Sequence, residues 1–164
     1  MVYVVMGVSG SGKTLIGRKL ADYLDCPFYD GDDFHPETNI KKMEAGHALN
    51  DDDRRPWLKI LAENIHNWNE KGGAVLACSA LKKSYRDLLR DGHANKEVQF
   101  IFLQGSFSLI AERLAGRSNH FMPEKLLASQ FKALEEPKKA LSVSIDQPPN
   151  KIVEKIAKQL KNAS

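Results

Sequence analysis

GVSGSGKT, residues 7–14, is the stretch of sequence that decides the fold of this chain. It matches G-x-x-x-x-G-K-[ST], the pattern of a phosphate-binding loop, which requires a strand before it and a helix after it. An apolar, β-branched run precedes it at residues 2–6, and apolar residues at helical spacing follow it from Leu15 to Leu24. The stretch therefore predicts a nucleotide-binding loop rather than an ordinary turn of glycine and serine.

The residue types of this loop follow from the chemistry of phosphate groups. Glycines allow successive backbone N–H groups to turn inward around phosphate oxygens, and the next helix adds the positive end of its dipole. We expect Lys13 to reach the β- and γ-phosphates and the Thr14 hydroxyl to hold Mg²⁺. The predicted ATP-binding residues of the loop are Gly7, Val8, Ser9, Gly10, Ser11, Gly12, Lys13 and Thr14.

Composition limits the classes of protein to which the chain can belong. Its 164 residues, 42% hydrophobic and 27% charged, are typical of one globular domain spanning residues 1–164. With 24 Lys and Arg against 21 Asp and Glu, the sequence shows no concentrated basic face, so no nucleic-acid partner is expected. No apolar run approaches the ~20 residues of a membrane span, and Met1 leads directly into the first predicted strand. We expect a cytoplasmic protein with no membrane partner.

Five short apolar stretches alternate with helical patterns along the chain. They predict an α/β fold, a three-layer sandwich in which helices flank both faces of a five-stranded parallel sheet. The predicted strands are residues 2–6, 27–29, 74–78, 98–103 and 141–145. Ligands of such sheets lie beyond the carboxyl ends of the strands. This rule gathers residues 7–14, 30–35, 79–82 and the turn at Asp146 at one edge of the sheet.

Two carboxylates follow the second predicted strand, in Asp30-Gly31-Asp32. One can organise a metal ion, directly or through water, and the other can accept the proton of an attacking hydroxyl. An acidic turn that only caps the next helix is the alternative. His35 lies on the same loop as a weaker candidate for substrate binding. The planar guanidinium of Arg54 suits an anionic substrate, although a simple ion pair with nearby carboxylates is also possible there.

A helix is expected to begin in the acidic cluster at residues 51–53, with Pro56 in its first turn. Its apolar face includes Trp57 and Trp68, which we interpret as core residues rather than a platform for a ligand. Residues 33–70 as a whole are the predicted substrate-binding helical segment. Farther along, Arg113, Arg117 and His120 surround a helix break at Gly116, and we expect a cationic lid at residues 116–123 rather than a solvated surface.

The chain resembles the gluconate kinases of the small phosphate-loop type, which are related to shikimate and adenylate kinases. The resemblance covers essentially the whole chain, and Asp-Gly-Asp-x-x-His-Pro and Cys-Ser-Ala-Leu-Lys are far more specific than the loop. Ala48 departs from the family pattern, which usually has proline there. The blocks that carry the resemblance include residues 7–14, 29–36, 49–57, 78–87, 129–131 and 146–148.

The resemblance implies ATP-dependent phosphorylation of D-gluconate at its terminal 6-hydroxyl, giving 6-phospho-D-gluconate and ADP. It implies Mg²⁺ at Thr14 and Asp30, partly through water, with Lys13, Asp32 and Arg117 as the catalytic residues. Arg113 would stack on adenine, Arg117 would contact phosphates, and the loop of Asp146, Gln147 and Pro148 would border the base. The substrate-binding residues would be Asp32, His35, Arg54, Ser79, Lys82, His120 and Gln130. Such enzymes are commonly dimers, so a homodimer is possible.

Two other functions stay open at this point. A kinase of another small anionic metabolite, such as a shikimate-like acid, would share the phosphate-binding residues and differ only in the acceptor pocket. A nucleotide-dependent regulatory module is disfavoured because neither N-K-x-D nor D-x-x-G, the strings of guanine-nucleotide switches, occurs in the sequence.

Overall fold

The computed structural model describes residues 1–90, 97–116 and 124–163. Strands and helices alternate along the described chain, as the apolar pattern predicts. None of the described helices combines the length and the apolar character that crossing a membrane requires. In chain order the elements are β1 Val2–Met6, α1 Lys13–Leu24, β2 Phe28–Asp30, a 3-10 turn Gly31–Phe34, α2 Glu37–Glu44, α3 Asp51–Glu70, β3 Ala74–Ala77, α4 Lys83–Leu89, β4 Val98–Gln104, α5 Phe107–Ala115, α6 Glu124–Ala133, β5 Leu141–Ser144 and α7 Pro149–Ala163.

The five strands form one parallel sheet in the order β2-β3-β1-β4-β5. β1 lies at the centre, where Val4 is in register with Leu76 of β3 and Phe100 of β4. The predicted fold class is thereby confirmed; β1 has the predicted bounds, and no end of the other four strands differs from its predicted position by more than one residue. Asp30 closes β2 rather than following it. All five strands point the same way, so the loops after them meet at one edge of the sheet.

Side chains of β1 alternate between two apolar cores, one on each face of the sheet. Val2, Val4 and Met6 belong to the core that α3 and α4 cover. Val5 belongs to the core on the opposite face, which is covered by α1, α5, α6 and α7. Because both faces are buried, β1 reads as a continuous apolar run rather than as an alternating one.

Aromatic residues hold the loop after β2 against α3. The rings of Tyr29 and Trp68 stack with centroids 4.2 Å apart, and Phe34 meets Trp68 edge-on at 5.7 Å. The indole N–H of Trp57 donates to the carbonyl oxygen of Gly31 at 2.8 Å. Both tryptophans are buried, which confirms their interpretation as core residues. Their packing fixes the backbone from which the acidic residues of this loop project.

Pro56 lies inside α3, and the expectation that it would occupy the first turn is wrong. The helix begins at Asp51, so Pro56 is its sixth residue. Proline carries no backbone N–H, and the carbonyl of Asp52 therefore loses its usual helical donor. The start of the helix is stabilised by a capping box. The side chain of Asn50 accepts from the N–H of Asp53, and the side chain of Asp53 accepts from the N–H of Asn50.

Candidate active site

The phosphate loop joins β1 to the first turn of α1. Gly12 precedes the helix with a left-handed φ of 94°, and no side chain caps the helix end. The first N–H groups of α1 are consequently available to an anion. At Gly10, where φ is 82°, an added Cβ would lie 2.7 Å from the Cγ atom of Leu114 on α5. Glycine is needed there both for the backbone conformation and for the close approach of α5.

Lys13 folds its side chain back across the loop. Its ammonium group donates to the carbonyl oxygens of Gly7 and Val8, at 3.0 Å each. Removal of water from this group lowers the pKa of Lys13, while the negative charges of Asp32 and Asp30 act in the opposite direction. A positive charge is thus held inside the loop, next to the two predicted acidic residues.

The loop also contains a buried hydroxyl group with no hydrogen-bond partner. Ser11 is 1% exposed, and its Oγ atom has no partner among the residues that the structure describes. Such unpartnered polar atoms are uncommon in folded proteins. Together with the uncapped helix end and the Lys13 ammonium, this donor set fits the phosphate groups of a nucleotide.

Thr14 and Asp30 provide two oxygen atoms at the predicted metal position. The Thr14 hydroxyl donates to Oδ2 of Asp30 across 3.4 Å, and Oδ1 of Asp30 accepts from the N–H of Asp32 at 3.0 Å. Within the described ranges no group of three or more His, Cys, Asp or Glu side chains could hold a metal ion. A hydroxyl and a single carboxylate fit Mg²⁺ bound together with phosphate and water, rather than a metal ion enclosed by protein.

Asp32 carries the second carboxylate of the acidic turn, within electrostatic range of Lys13. Its side chain is 86% exposed, so an incoming hydroxyl can reach it. Partial loss of water around the carboxyl group and the negative charge of Asp30 raise the pKa of Asp32, against the positive charges of His35 and Lys13. The two carboxylates therefore differ in their surroundings, because Asp30 contacts Thr14 whereas the side chain of Asp32 is exposed. Their roles as metal ligand and base remain predictions.

His35 is buried behind Asp32. The imidazole ring stacks on the indole of Trp57, with centroids 4.2 Å apart, and only 6% of the side chain is exposed. Its Nδ1 atom faces Nδ2 of Asn39 at 3.2 Å, and its Nε2 atom lies 3.9 Å from Oδ1 of Asp32. The predicted contact of His35 with the substrate remains a prediction, and the contacts present are with protein side chains.

Arg54 and Lys82 lie on one open cleft beside the acidic turn. The cleft has a volume of about 500 Å³ and is bounded by Leu49, Asn50, Asp51, Asp52, Arg54 and Lys82. Arg54 forms no ion pair with any described residue; its Nη1 atom donates to the Tyr85 hydroxyl at 3.2 Å. Lys82 donates to both oxygens of Asp51 at 3.2 Å. The two carboxylates of this lining are each paired, Asp51 with Lys82 and Asp52 with Arg55, so the guanidinium of Arg54 is the cation here that can bind an anionic acceptor.

Asp51 and Tyr85 are site residues that the sequence did not single out. The Tyr85 hydroxyl donates to Oδ1 of Asp51, and this hydrogen bond, followed by that from Lys82, lowers the pKa of Asp51. The cations of Arg54 and Lys82 lie 5.7 and 5.6 Å from the centroid of the Tyr85 ring. Tyr85 follows Lys82 by three residues at the start of α4. That spacing places two side chains on the same face of a helix, and it is the sequence feature from which their proximity could have been predicted.

The predicted adenine-binding residues lie beside the end of β5. Nη2 of Arg113 donates to the carbonyl oxygen of Ile145 at 2.6 Å, directly before Asp146. The side-chain amide of Gln147 donates to the carbonyl oxygen of Ser144 at 2.6 Å, and Pro148 begins the turn into α7. Arg113 therefore contacts the residue that directly precedes the loop of Asp146, Gln147 and Pro148. Adenine binding by these residues remains a prediction.

Gln130 and Ser79 contact the phosphate loop. Oε1 of Gln130 accepts from the N–H of Ser9 at 2.7 Å, and Nε2 of Gln130 donates to the Ser9 hydroxyl at 3.0 Å. The carbonyl oxygen of Ser79 accepts from the N–H of Gly7 at 3.3 Å. Both residues were predicted to bind the substrate, which remains a prediction, and the contacts seen are with the loop. Arg117, His120 and the predicted lid from residue 117 onward lie outside the described residues.

The chain is similar in sequence to known kinases of small molecules. Residues 9–161 match the family model described as shikimate kinase. The chain is 46% identical over 152 residues to a thermoresistant gluconokinase of Escherichia coli strain K12, covering 90% of this chain and 86% of that protein. It is 40% identical over 176 residues to a gluconokinase of Arabidopsis thaliana, covering 99% and 93% of the two chains.

Solved structures give the same result. A gluconokinase crystal structure from Sinorhizobium meliloti 1021 superimposes with a TM-score of 0.83 at 42% identity, covering 99% of this chain and 97% of that one. A shikimate kinase from Aquifex aeolicus superimposes with a TM-score of 0.61 over 99% of this chain and 98% of that one. At 18% identity the second match shows the common fold alone.

Proposed function

This chain belongs to the gluconokinase family, and on that premise we propose that it transfers the γ-phosphoryl group of ATP to the terminal 6-hydroxyl of D-gluconate, giving 6-phospho-D-gluconate and ADP. One observation carries the proposal. Asp32 lies within electrostatic range of the loop lysine and of His35, and His35 lies within range of Arg54, which borders the open cleft. A nucleotide bound by the loop and an anionic alcohol bound by Arg54 would then both be near the same carboxylate.

The chain's own residues supply the nucleotide site. The uncapped end of α1 and the Lys13 ammonium bind phosphate oxygens, and Lys13 stabilises charge that develops during transfer. Thr14 and Asp30 would hold Mg²⁺, partly through water. When bound, the ion neutralises charge on the phosphate oxygens and orients them. Arg113 and the loop of residues 146–148 would border adenine, and Arg117 would contact phosphates.

Asp32 acts as the base in this proposal. Its exposed carboxylate accepts the proton of the 6-hydroxyl as the oxygen attacks, and the hydroxyl oxygen becomes the bridging oxygen of the product. Arg54 would bind the carboxylate of gluconate, since its guanidinium forms no ion pair with the described residues and is fixed by Tyr85. Lys82, Ser79 and His35, with Gln130 and His120, would contact the rest of the acid.

A comparison of acceptors tests this function. ADP formation from ATP should be measured with gluconate, shikimate and a nucleoside monophosphate under the same conditions. Gluconate should give a kcat/KM at least about 100-fold above the others, because the wrong acceptor leaves buried polar groups unpaired. If shikimate or a nucleotide were equally good, the assignment of gluconate would be lost. The possible homodimer and the cytoplasmic location stay predictions that this assay does not address.

Replacement of the base tests the mechanism. Asp32→Asn keeps the shape of the side chain and removes its ability to accept a proton, so we expect kcat to fall by about 10²- to 10⁴-fold. The dissociation constant for ATP, measured by calorimetry, should change little, because the loop contacts remain. Near-normal turnover would move the role of the base to another group.

A further inference from the structure

A row of three polar side chains runs from Asn39 through His35 to Asp32. Asn39 is 3% exposed and contacts His35, which in turn faces Asp32. The amide nitrogen of Asn39 lies 2.9 Å from the carbonyl oxygen of Asp53 and 3.2 Å from Nδ1 of His35. The other ring nitrogen of His35 is 3.9 Å from Oδ1 of Asp32.

The carbonyl oxygen of Asp53 determines how the rest of this row is protonated. A carbonyl oxygen only accepts hydrogen bonds, so the Asn39 atom that faces it must be the amide nitrogen. The second N–H of that nitrogen then donates to Nδ1 of His35, which must be a bare acceptor. In a neutral imidazole the proton therefore resides on Nε2, the atom that faces Asp32.

The surroundings keep the imidazole neutral and in place. Burial lowers the pKa of His35, with the negative charge of Asp32 opposing this and the positive charge of Arg54 adding to it. Stacking on Trp57 fixes the plane of the ring, and Trp57 is itself held by its hydrogen bond to Gly31. The ring consequently presents one N–H group in one direction.

We propose that Asn39 locks His35 in the Nε2–H tautomer and that this N–H donates to Oδ1 of Asp32, making both residues positioning residues for the base. The inference rests on the proposed function, in which Asp32 accepts the proton of the acceptor hydroxyl. The separation of 3.9 Å exceeds hydrogen-bond reach, so this inference requires the two atoms to move closer when the acceptor is bound, as catalytic hydrogen bonds do. His35 keeps its proton throughout; the hydroxyl proton goes to the other carboxylate oxygen of Asp32.

Nitrogen NMR of the whole protein tests the tautomer without any substrate. In protein labelled with ¹⁵N at histidine, His35 should show a protonated Nε2 and a bare Nδ1 at neutral pH. Asn39→Leu keeps a side chain of similar volume and removes both N–H donors, so this variant should show a mixture of the two tautomers. A wild-type His35 protonated on Nδ1, or a variant whose tautomer is unchanged, would overturn the lock.

Two substitutions of His35 separate the roles of its two nitrogens. His35→Gln places an amide near the position of Nε2, whereas His35→Asn places one near Nδ1 and leaves nothing facing Asp32. We expect His35→Asn to lose about 10- to 100-fold in kcat, as for a lost hydrogen bond to a charged group, and His35→Gln to lose several-fold less. The KM for ATP should be unchanged in both, and melting temperatures report their folding.

The outcomes distinguish this inference from the proposed function. Equal loss of kcat in the two variants would assign His35 a packing role and reject the inference, while gluconate turnover by the wild type would still stand. Conversely, wild-type protein without gluconate kinase activity would overturn the proposed function. The NMR measurement would then decide the tautomer by itself.

Discussion

Lys13 donates to two carbonyl oxygens of its own loop, so its positive charge lies inside the loop that is expected to bind the phosphate groups. Lys13→Met keeps the length of the side chain and removes the ammonium group. Because that charge stabilises the transferring phosphoryl group, we expect kcat to fall by about 10²- to 10³-fold. Steady-state kinetics with ATP and gluconate measures the effect, and circular dichroism checks the fold.

A second lysine on the same helix provides the matched control. Lys19 lies six residues farther along α1 and donates to Asn150, at 3.2 Å, away from the loop. Lys19→Met should leave kcat within about twofold of the wild type, since an exposed polar contact contributes little. Equal losses in both lysine variants would mean that general damage to α1, rather than the missing charge in the loop, lowers activity.

Tyr85 contacts both cations of the cleft, Arg54 through its hydroxyl and ring and Lys82 through its ring. Tyr85→Phe keeps the ring beneath Arg54 and Lys82 but removes the hydroxyl that accepts from Arg54 and donates to Asp51. We expect the KM for gluconate to rise about tenfold, equivalent to one hydrogen bond of about 1.4 kcal/mol, with the KM for ATP unchanged. Tyr23→Phe, at an exposed position of α1, is the control and should change neither constant.

At the scale of elements, the side chain of Gln130 connects α6 to the phosphate loop. Gln130 uses both atoms of its amide on Ser9, so the position of the helix and the shape of the loop are coupled. Gln130→Leu keeps the packing volume and removes both hydrogen bonds. We expect the KM for ATP to rise about three- to tenfold, because the loop must then be ordered by the nucleotide itself.

The charged substitution at the same position refines this test. Gln130→Glu retains an acceptor for the N–H of Ser9 but adds a negative charge beside the bound phosphates, so its KM for ATP should exceed that of Gln130→Leu. If both variants bound ATP as tightly as the wild type, the contact between α6 and the loop would have no role in nucleotide binding.

The elements themselves could be predicted from the sequence because their signals are local. Continuous apolar runs predicted the five strands, and GVSGSGKT predicted the turn from β1 to α1. Asp51 and Tyr85 were not identified as partners because they are 34 residues apart, and only the packing of α3 on α4 brings them together. The contact between Asn39 and the carbonyl of Asp53 was likewise inaccessible, since backbone acceptors carry no sequence signature. Pro56 was placed a turn too early because the acidic cluster gave no exact helix start.

At the scale of the whole molecule, the sheet order separates the two sides of the reaction. Most of the described residues assigned to the acceptor follow β2 and β3 or lie on α3, on one half of the sheet, and Gln130 on α6 is the exception. Residues assigned to the nucleotide follow β1 and β5 or lie on α5, on the other half.

Stability should depend on pH through the first turn of α3. The hydrogen bond from Lys42, followed by that from the backbone N–H of Asn50, lowers the pKa of Asp53 below its ordinary value of about 3.9. The carboxylate of Asp53 therefore binds a proton more readily in the unfolded chain than in the folded chain. The free energy of unfolding consequently rises with pH between the lowered pKa of the folded chain and the ordinary pKa of the unfolded chain. Asp53→Asn should be less stable than the wild type at pH 7, and the difference should vanish as pH falls through the lowered pKa.

Urea unfolding at pH 7 and at successively lower pH measures this difference. Asp52→Asn is the control, because Asp52 is exposed and forms only a surface ion pair with Arg55 at 3.0 Å. That variant should follow the wild-type curve throughout. An Asp53 variant whose deficit stayed constant down to the lowest pH would show that the capping geometry, and not the ionised carboxylate, stabilises the helix.

The hydrogen bond from the indole of Trp57 to the carbonyl oxygen of Gly31 has a consequence for protein engineering. It joins the turn after β2 to α3, the two segments that carry most of the residues proposed to bind the sugar acid. Exchanging the block formed by residues 31–57 and 79–86 for its counterpart from a homologous kinase should transplant the choice of alcohol while the ATP half is left untouched. New kinases for unfamiliar polyols could then be assembled by grafting, without redesigning the phosphate chemistry.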